Sequence, residues 1–113
     1  MATERRNFTD DEIAYVWERA KIIPGVDKDK WRVDYAGARI WRAKYGDTTS
    51  QYGWEIDHIK PLEKDGTYDK SNLIALQWEN NRHKDDNYPE WKTNRTFDGE
   101  NNVECIKSWK MNK

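Results

Sequence analysis

A single cysteine, Cys105, in a chain of 113 residues leaves no partner for an internal disulfide. It also excludes a structural zinc site built on paired thiolates. No apolar run approaches the roughly twenty residues that span a membrane, and the start MATERRNFTDDE lacks the apolar region of a signal peptide. The expected setting is therefore intracellular, soluble and cytoplasmic. Hydrophobic residues are sparse, 35% with Tyr included, so packing must lean on a few large side chains. Seven Trp and six Tyr supply them. The tryptophans, Trp17, Trp31, Trp41, Trp54, Trp78, Trp91 and Trp109, are spread along the whole chain. That spacing and length predict one domain, residues 1–113, with a single modest core.

The net charge of −1 conceals a segregation. Residues 28–44 (KDKWRVDYAGARIWRAK) hold six Lys or Arg against two Asp, whereas residues 45–77 hold three against six Asp or Glu. A basic, aromatic-rich segment beside an acidic one suits phosphate-backbone contact next to a cation-holding site. A solvated face of an ordinary domain would give the same pattern.

Near the N-terminus, Thr9 followed by Glu12 forms a capping box, with Phe8 and Ile13 placed as its hydrophobic staple. Ile13, Val16, Trp17 and Ala20 recur at helical spacing, which predicts a helix from about Asp10 to Ile22, stopped by Pro24-Gly25. A short strand is expected around Ala38 to Tyr45, then a polar turn, then WEIDHI as a second strand able to pair with the first as a hairpin. The polar loop KPLEKDGTYDKSN leads to the apolar run LIALQ, a further strand, and to WENNRHKDDN, a short helix ended by Pro89. Asp98-Gly99 marks a terminal hairpin.

Asp57 and His58 are adjacent in the most strand-like stretch, WEIDHIKPL. Neighbours in a strand point to opposite faces, so each needs its own partner. Asn72 follows after thirteen residues, and Asn81 after eight more, in the run NNRHKDDN. This constellation, inside a strand, loop, strand and helix, resembles the HNH endonuclease motif. The NRxKxDN run is similar to the HNH domain of the RNA-guided CRISPR nucleases. WEIDHIxP with LQWxNN resembles small stand-alone bacterial and phage HNH proteins. The likeness covers about residues 54–87.

The resemblance implies an α+β domain built on a ββα-metal unit, with the N-terminal helix and additional strands around it. It implies hydrolysis or nicking of DNA phosphodiester bonds, leaving 5′-phosphate and 3′-hydroxyl ends. His58, an imidazole able to titrate near neutrality, would take the proton from the attacking water. Asp57 would turn towards the helix and bind one divalent metal with Asn81, and Asn72 would orient His58 by hydrogen bonding. Two protein oxygens leave most of an octahedral shell to water and phosphate, which suits Mg²⁺ or Mn²⁺, although sites of this family accept other divalent ions.

Lys84 and Arg82 are candidates for substrate phosphates, and Arg39, Arg42 and Lys44 for wider backbone contact with DNA. His83 lies two residues from Asn81, so at about 100° per residue it should face away from the metal. A catalytically silent module binding nucleic acid or protein, and an RNA-cutting toxin domain, are the competing readings. The chain lacks the cysteine pairs that hold structural zinc in many HNH relatives, and it carries no recognisable module for reading DNA sequence.

Overall fold

A computed structural model describes residues 4–111. The described chain is α+β, with two α-helices and three small antiparallel sheets. Helix α1 (Asp10–Arg19) leads into β1 (Lys21–Ile22), β2 (Trp31–Val33) and β3 (Arg39–Trp41), which form the first sheet in that order. Strands β4 (Trp54–His58) and β5 (Leu73–Gln77) form the second, and α2 (Trp78–Lys84) follows β5 directly. The third is the hairpin of β6 (Glu90–Phe97) and β7 (Asn102–Lys110). No described helix is long and apolar enough to cross a membrane.

The start of α1 follows its local sequence. Glu12 N donates to Thr9 Oγ1 at 3.1 Å, and Thr9 N donates to Glu12 Oε1 at 2.9 Å, closing the capping box. The end of α1 corrects the expected boundary at Ile22. The helix stops at Arg19, because Ala20 is extended and Lys21–Ile22 pair with Arg32–Val33 of β2. The buried Arg32 guanidinium donates to the carbonyls of Glu18 and Ala20, satisfying acceptors that the ending helix leaves open. A charge read as part of a nucleic-acid patch is thus spent on a helix terminus.

The expected hairpin between the third and fourth strands is also corrected. Strand β3 pairs backwards with β2, where Trp31 lies opposite Trp41 and their rings stack at 5.1 Å. Such a cross-strand aromatic pair fixes the register. Strand β4 instead pairs forwards with β5, from Trp54 opposite Gln77 to His58 opposite Leu73.

Strand β4 alternates as its pleat requires. Trp54, Ile56 and His58 face inwards, whereas Glu55 and Asp57 take the half-buried face. Trp54 is fully buried among Val16, Trp17, Ile40 and Leu73, with Trp17 and Tyr45 rings against it at 5.4 and 4.9 Å. This core fixes β4 between α1 and the first sheet.

A buried polar network ties the sheets together. Asp34 Oδ1 accepts from the amides of Ala36 and Ala38, and its Oδ2 accepts from Gln77 N and Asn80 Nδ2. Asn80 Oδ1 in turn accepts from Asn94 N and Arg95 N at the irregularity in β6. Gln77 Oε1 caps α2 by accepting from Glu79 N and Asn80 N. One carboxylate and one amide thereby join the first sheet, α2 and the terminal hairpin.

Candidate functional site

Asp57, His58 and Asn81 line one predominantly polar pocket of about 220 Å³ between the end of β4 and α2. The strand pleat sends Asp57 towards α2, and the helix brings Asn81 to the same space. The short junction between β5 and α2 makes this meeting inevitable once β4 and β5 pair.

The half-buried Asp57 sits beside a fully buried charge. Lys84 Nζ lies 3.0 Å from Asp57 Oδ2, in an ion pair whose alignment falls short of a good hydrogen bond. Burial pushes the Asp57 carboxyl up to about 6, with the Lys84 charge pulling in the opposite direction. Lys84 is 0% exposed and also reaches the His58 carbonyl at 3.4 Å. The expectation that Lys84 contacts substrate phosphate is therefore corrected. Its ammonium is enclosed, and it fastens α2 to β4 at the Asp57-His58 step.

Asn81 is held from below. Its Nδ2 donates to Glu55 Oε1 at 3.1 Å, which leaves Oδ1 as the group's free acceptor. Glu55 also pairs with Arg82 at 3.2 Å, and Arg82, mostly exposed, joins the pocket wall. Asp57 and Asn81 thus offer two hard oxygen donors. Among the described residues there is no group of three or more His, Cys, Asp or Glu side chains that could hold a metal ion. A carboxylate and an oriented amide oxygen lining the same pocket fit a weakly caged divalent ion that keeps several waters.

His58 is 7% exposed, and its Nε2 is buried without a hydrogen-bond partner. Burial, followed by the nearby positive charge of Arg5, lowers its pKa to about 4. That departs from the expected titration near neutrality, and it keeps the imidazole neutral and able to accept a proton throughout the physiological range.

Asn72 is buried just before β5, but its side chain works on the loop. It accepts from Lys60 N at 2.8 Å and donates to the carbonyls of Lys60 and Thr67 at 3.1 and 2.9 Å. The expected hydrogen bond to the His58 imidazole is replaced by these contacts. Asn72 instead staples the 59–71 loop, and its own carbonyl accepts from Ile59 N. Within this loop, Gly66 passes so close to the backbone that a Cβ there would lie 1.7 Å from the Lys60 carbonyl oxygen.

The other basic candidates lie outside the pocket. Arg39 is sandwiched by Trp31 and Phe97, with its guanidinium 5.4 and 4.4 Å from the ring centres. Arg42 lies over Trp54 and lines a separate groove beside α1. Lys44 pairs with Asp47 at 3.6 Å. His83 is exposed and lines a groove with Trp91 and Trp109, away from Asp57 and Asn81, as its helical position predicts.

Sequence reasoning missed several residues of the pocket wall. Arg5, Arg6, Phe8 and Tyr68 close one side, and Asp85 and Asp86 line another. Asp85 and Asp86 belong to the same NNRHKDDN run as Asn81, so their place beside it is legible from the sequence. The contacts from the N-terminal segment had no local signal.

Residues 44–87 match the family model described as HNH endonuclease. No curated protein and no solved structure matches the chain. The matched segment contains β4, the 59–71 loop, β5 and α2, together with Asp57, His58, Asn72 and Asn81. The likeness to HNH endonucleases thus lies in residues 44–87, with α1, the first sheet and the terminal hairpin packed around this segment.

Proposed function

We propose that this HNH-bearing chain is a divalent-metal-dependent endonuclease that hydrolyses or nicks DNA phosphodiester bonds, with His58 as general base. The observation that carries this reading is the meeting in one polar pocket of an imidazole with an unpartnered Nε2, a half-buried carboxylate and an oriented amide oxygen.

Asp57 and Asn81 would hold the ion, with Mg²⁺ or Mn²⁺ matching their oxygen chemistry. Such an ion, when bound, offsets the charge that develops on the phosphate and on the leaving 3′ oxygen. His58 accepts the proton of the attacking water, for which its lowered pKa keeps it in the base form. Lys84 holds Asp57 in place, and Glu55 holds Asn81. Asn72 acts on His58 indirectly by fixing the loop that follows it. Attack in line with the leaving 3′ oxygen gives 5′-phosphate and 3′-hydroxyl ends. Arg82, in the pocket wall, would serve substrate phosphates, and Arg39, Arg42 and Lys44, outside the pocket, would contact the backbone further along.

Incubation of supercoiled plasmid with the purified protein in EDTA, Mg²⁺ or Mn²⁺ tests the reading. Relaxed or linear product is expected only with a divalent ion. Cleavage that persists in EDTA would exclude the metal-dependent mechanism. No cleavage of DNA, with cleavage of an RNA substrate under the same conditions, would move the assignment to a ribonuclease.

A further inference from the structure

We infer that Tyr68, working with Phe8, positions the His58 imidazole, so that an aromatic clamp fixes the orientation of the base; this rests on the nuclease reading above. The Tyr68 ring stands nearly perpendicular to the imidazole, at 87° with centres 4.6 Å apart. Phe8 lies 5.3 Å from the imidazole and 5.5 Å from Tyr68, so the three rings are in mutual contact. Edge-to-face packing of this kind has a preferred geometry, and rotation of the imidazole about its Cβ–Cγ bond would break both contacts.

Nε2 has no hydrogen-bond partner and the Asn72 amide is occupied by Lys60 and Thr67, so neither holds the ring, whereas Tyr68 and Phe8 pack directly on it. Tyr68 is itself well anchored. Its hydroxyl accepts from Arg6 N at 2.7 Å and donates to Arg6 O at 3.0 Å, and the Arg6 guanidinium lies 3.9 Å above its ring. Arg6 in turn makes two 2.9 Å bonds to the Glu12 carboxylate at the start of α1. Asn72 supports the other side of the anchor, since the Thr67 carbonyl it binds belongs to the residue before Tyr68. The clamp therefore takes its position from both α1 and the 59–71 loop.

The test compares Tyr68→Leu and Tyr68→Phe in the full chain. Kinetics on a duplex oligonucleotide at saturating Mg²⁺ or Mn²⁺ are measured beside thermal midpoints and the proton resonances of the His58 ring. In the wild type these resonances should be displaced by ring currents. Tyr68→Leu should remove that displacement and lower kcat about tenfold to a hundredfold with KM close to wild type, whereas Tyr68→Phe, which loses the same two hydroxyl bonds and should share a lowered thermal midpoint, should retain most of kcat. Wild-type kcat in Tyr68→Leu, or equal losses in both variants, would overturn the clamp while leaving the nuclease reading intact. Undisplaced His58 resonances in the wild type would overturn it whether or not DNA is cut. Displaced resonances that Tyr68→Leu abolishes, in a protein that cuts no nucleic acid, would uphold the ring contact and reject the nuclease reading.

Discussion

At the scale of single residues, adjacency in sequence and adjacency in function diverge. Asp57 and His58 are neighbours, yet the pleat assigns one to Lys84 and α2 and the other to the rings of Phe8 and Tyr68. The same geometry separates Asn81 from His83, which the helix turns by roughly 200°. Asn81→Ala should therefore raise the metal concentration needed for cleavage or abolish activity, whereas His83→Ala should keep most activity with an unchanged metal requirement. Metal titrations of both variants check this, and a metal requirement altered only by the His83 change would reverse the assignment. The opposite faces of Asp57 and His58 were legible because alternation is a local property of a strand. The enclosure of Lys84 was not, since an isolated lysine is ordinarily exposed and its partner lies on a different element. Asn72 was legible as part of the motif, but it does not line the pocket with Asp57 and His58, because its hydrogen-bond partners are set by the path of the 59–71 loop.

At the scale of elements, the beginning of α1 was readable and its end was not. Thr9 and Glu12 cap each other within one turn, whereas the stop at Arg19 depends on β2 and Arg32. Thr9→Ala should cost about 1 kcal/mol of unfolding free energy, measured by urea titration. An unchanged midpoint would mean that Phe8 and Arg6 hold the helix start without the cap. The Arg6 guanidinium, followed by the Thr9 amide, draws the Glu12 carboxyl down from 4.5 to about 2. A folded-state value below the unfolded one gives stability that is present above about pH 4.5 and lost as pH falls towards about 2. Glu12→Gln should flatten this part of the acid dependence, seen in urea midpoints between these limits. An acid dependence identical to wild type would count against the pairing. Strands β4 and β5 were readable from apolar patterning and α2 from the polar run before Pro89, although the helix already ends at Lys84, where Asp85 turns to positive φ, and the partner of β3 was not readable. Trp31 and Trp41 select it by packing across the first sheet.

At the scale of the whole molecule, the segregation of charge in the sequence does not translate into one basic surface. Arg32 caps α1, Arg39 is held between aromatic rings, and Lys44 has an acidic partner, while Arg5, Arg6 and Arg82 gather at the pocket. Under the proposed function, Arg42 and Lys44 near β3 would meet the DNA backbone. Arg42→Glu and Lys44→Glu should each weaken duplex binding and reduce the dependence of affinity on log salt by about one unit. Wild-type affinity at low salt in both variants would place the extended contact elsewhere. The Asp34 and Asn80 network gave no sequence motif, because its residues meet only when the first sheet, α2 and the hairpin assemble.

In the proposed mechanism the neutral imidazole of His58 is the base for metal-dependent cleavage. Its most direct test is the single-turnover cleavage rate of His58→Ala against wild type, on the same DNA at saturating Mg²⁺ or Mn²⁺. A fall of at least about a hundredfold with DNA binding preserved is the predicted result, and an undiminished rate in the variant would contradict it.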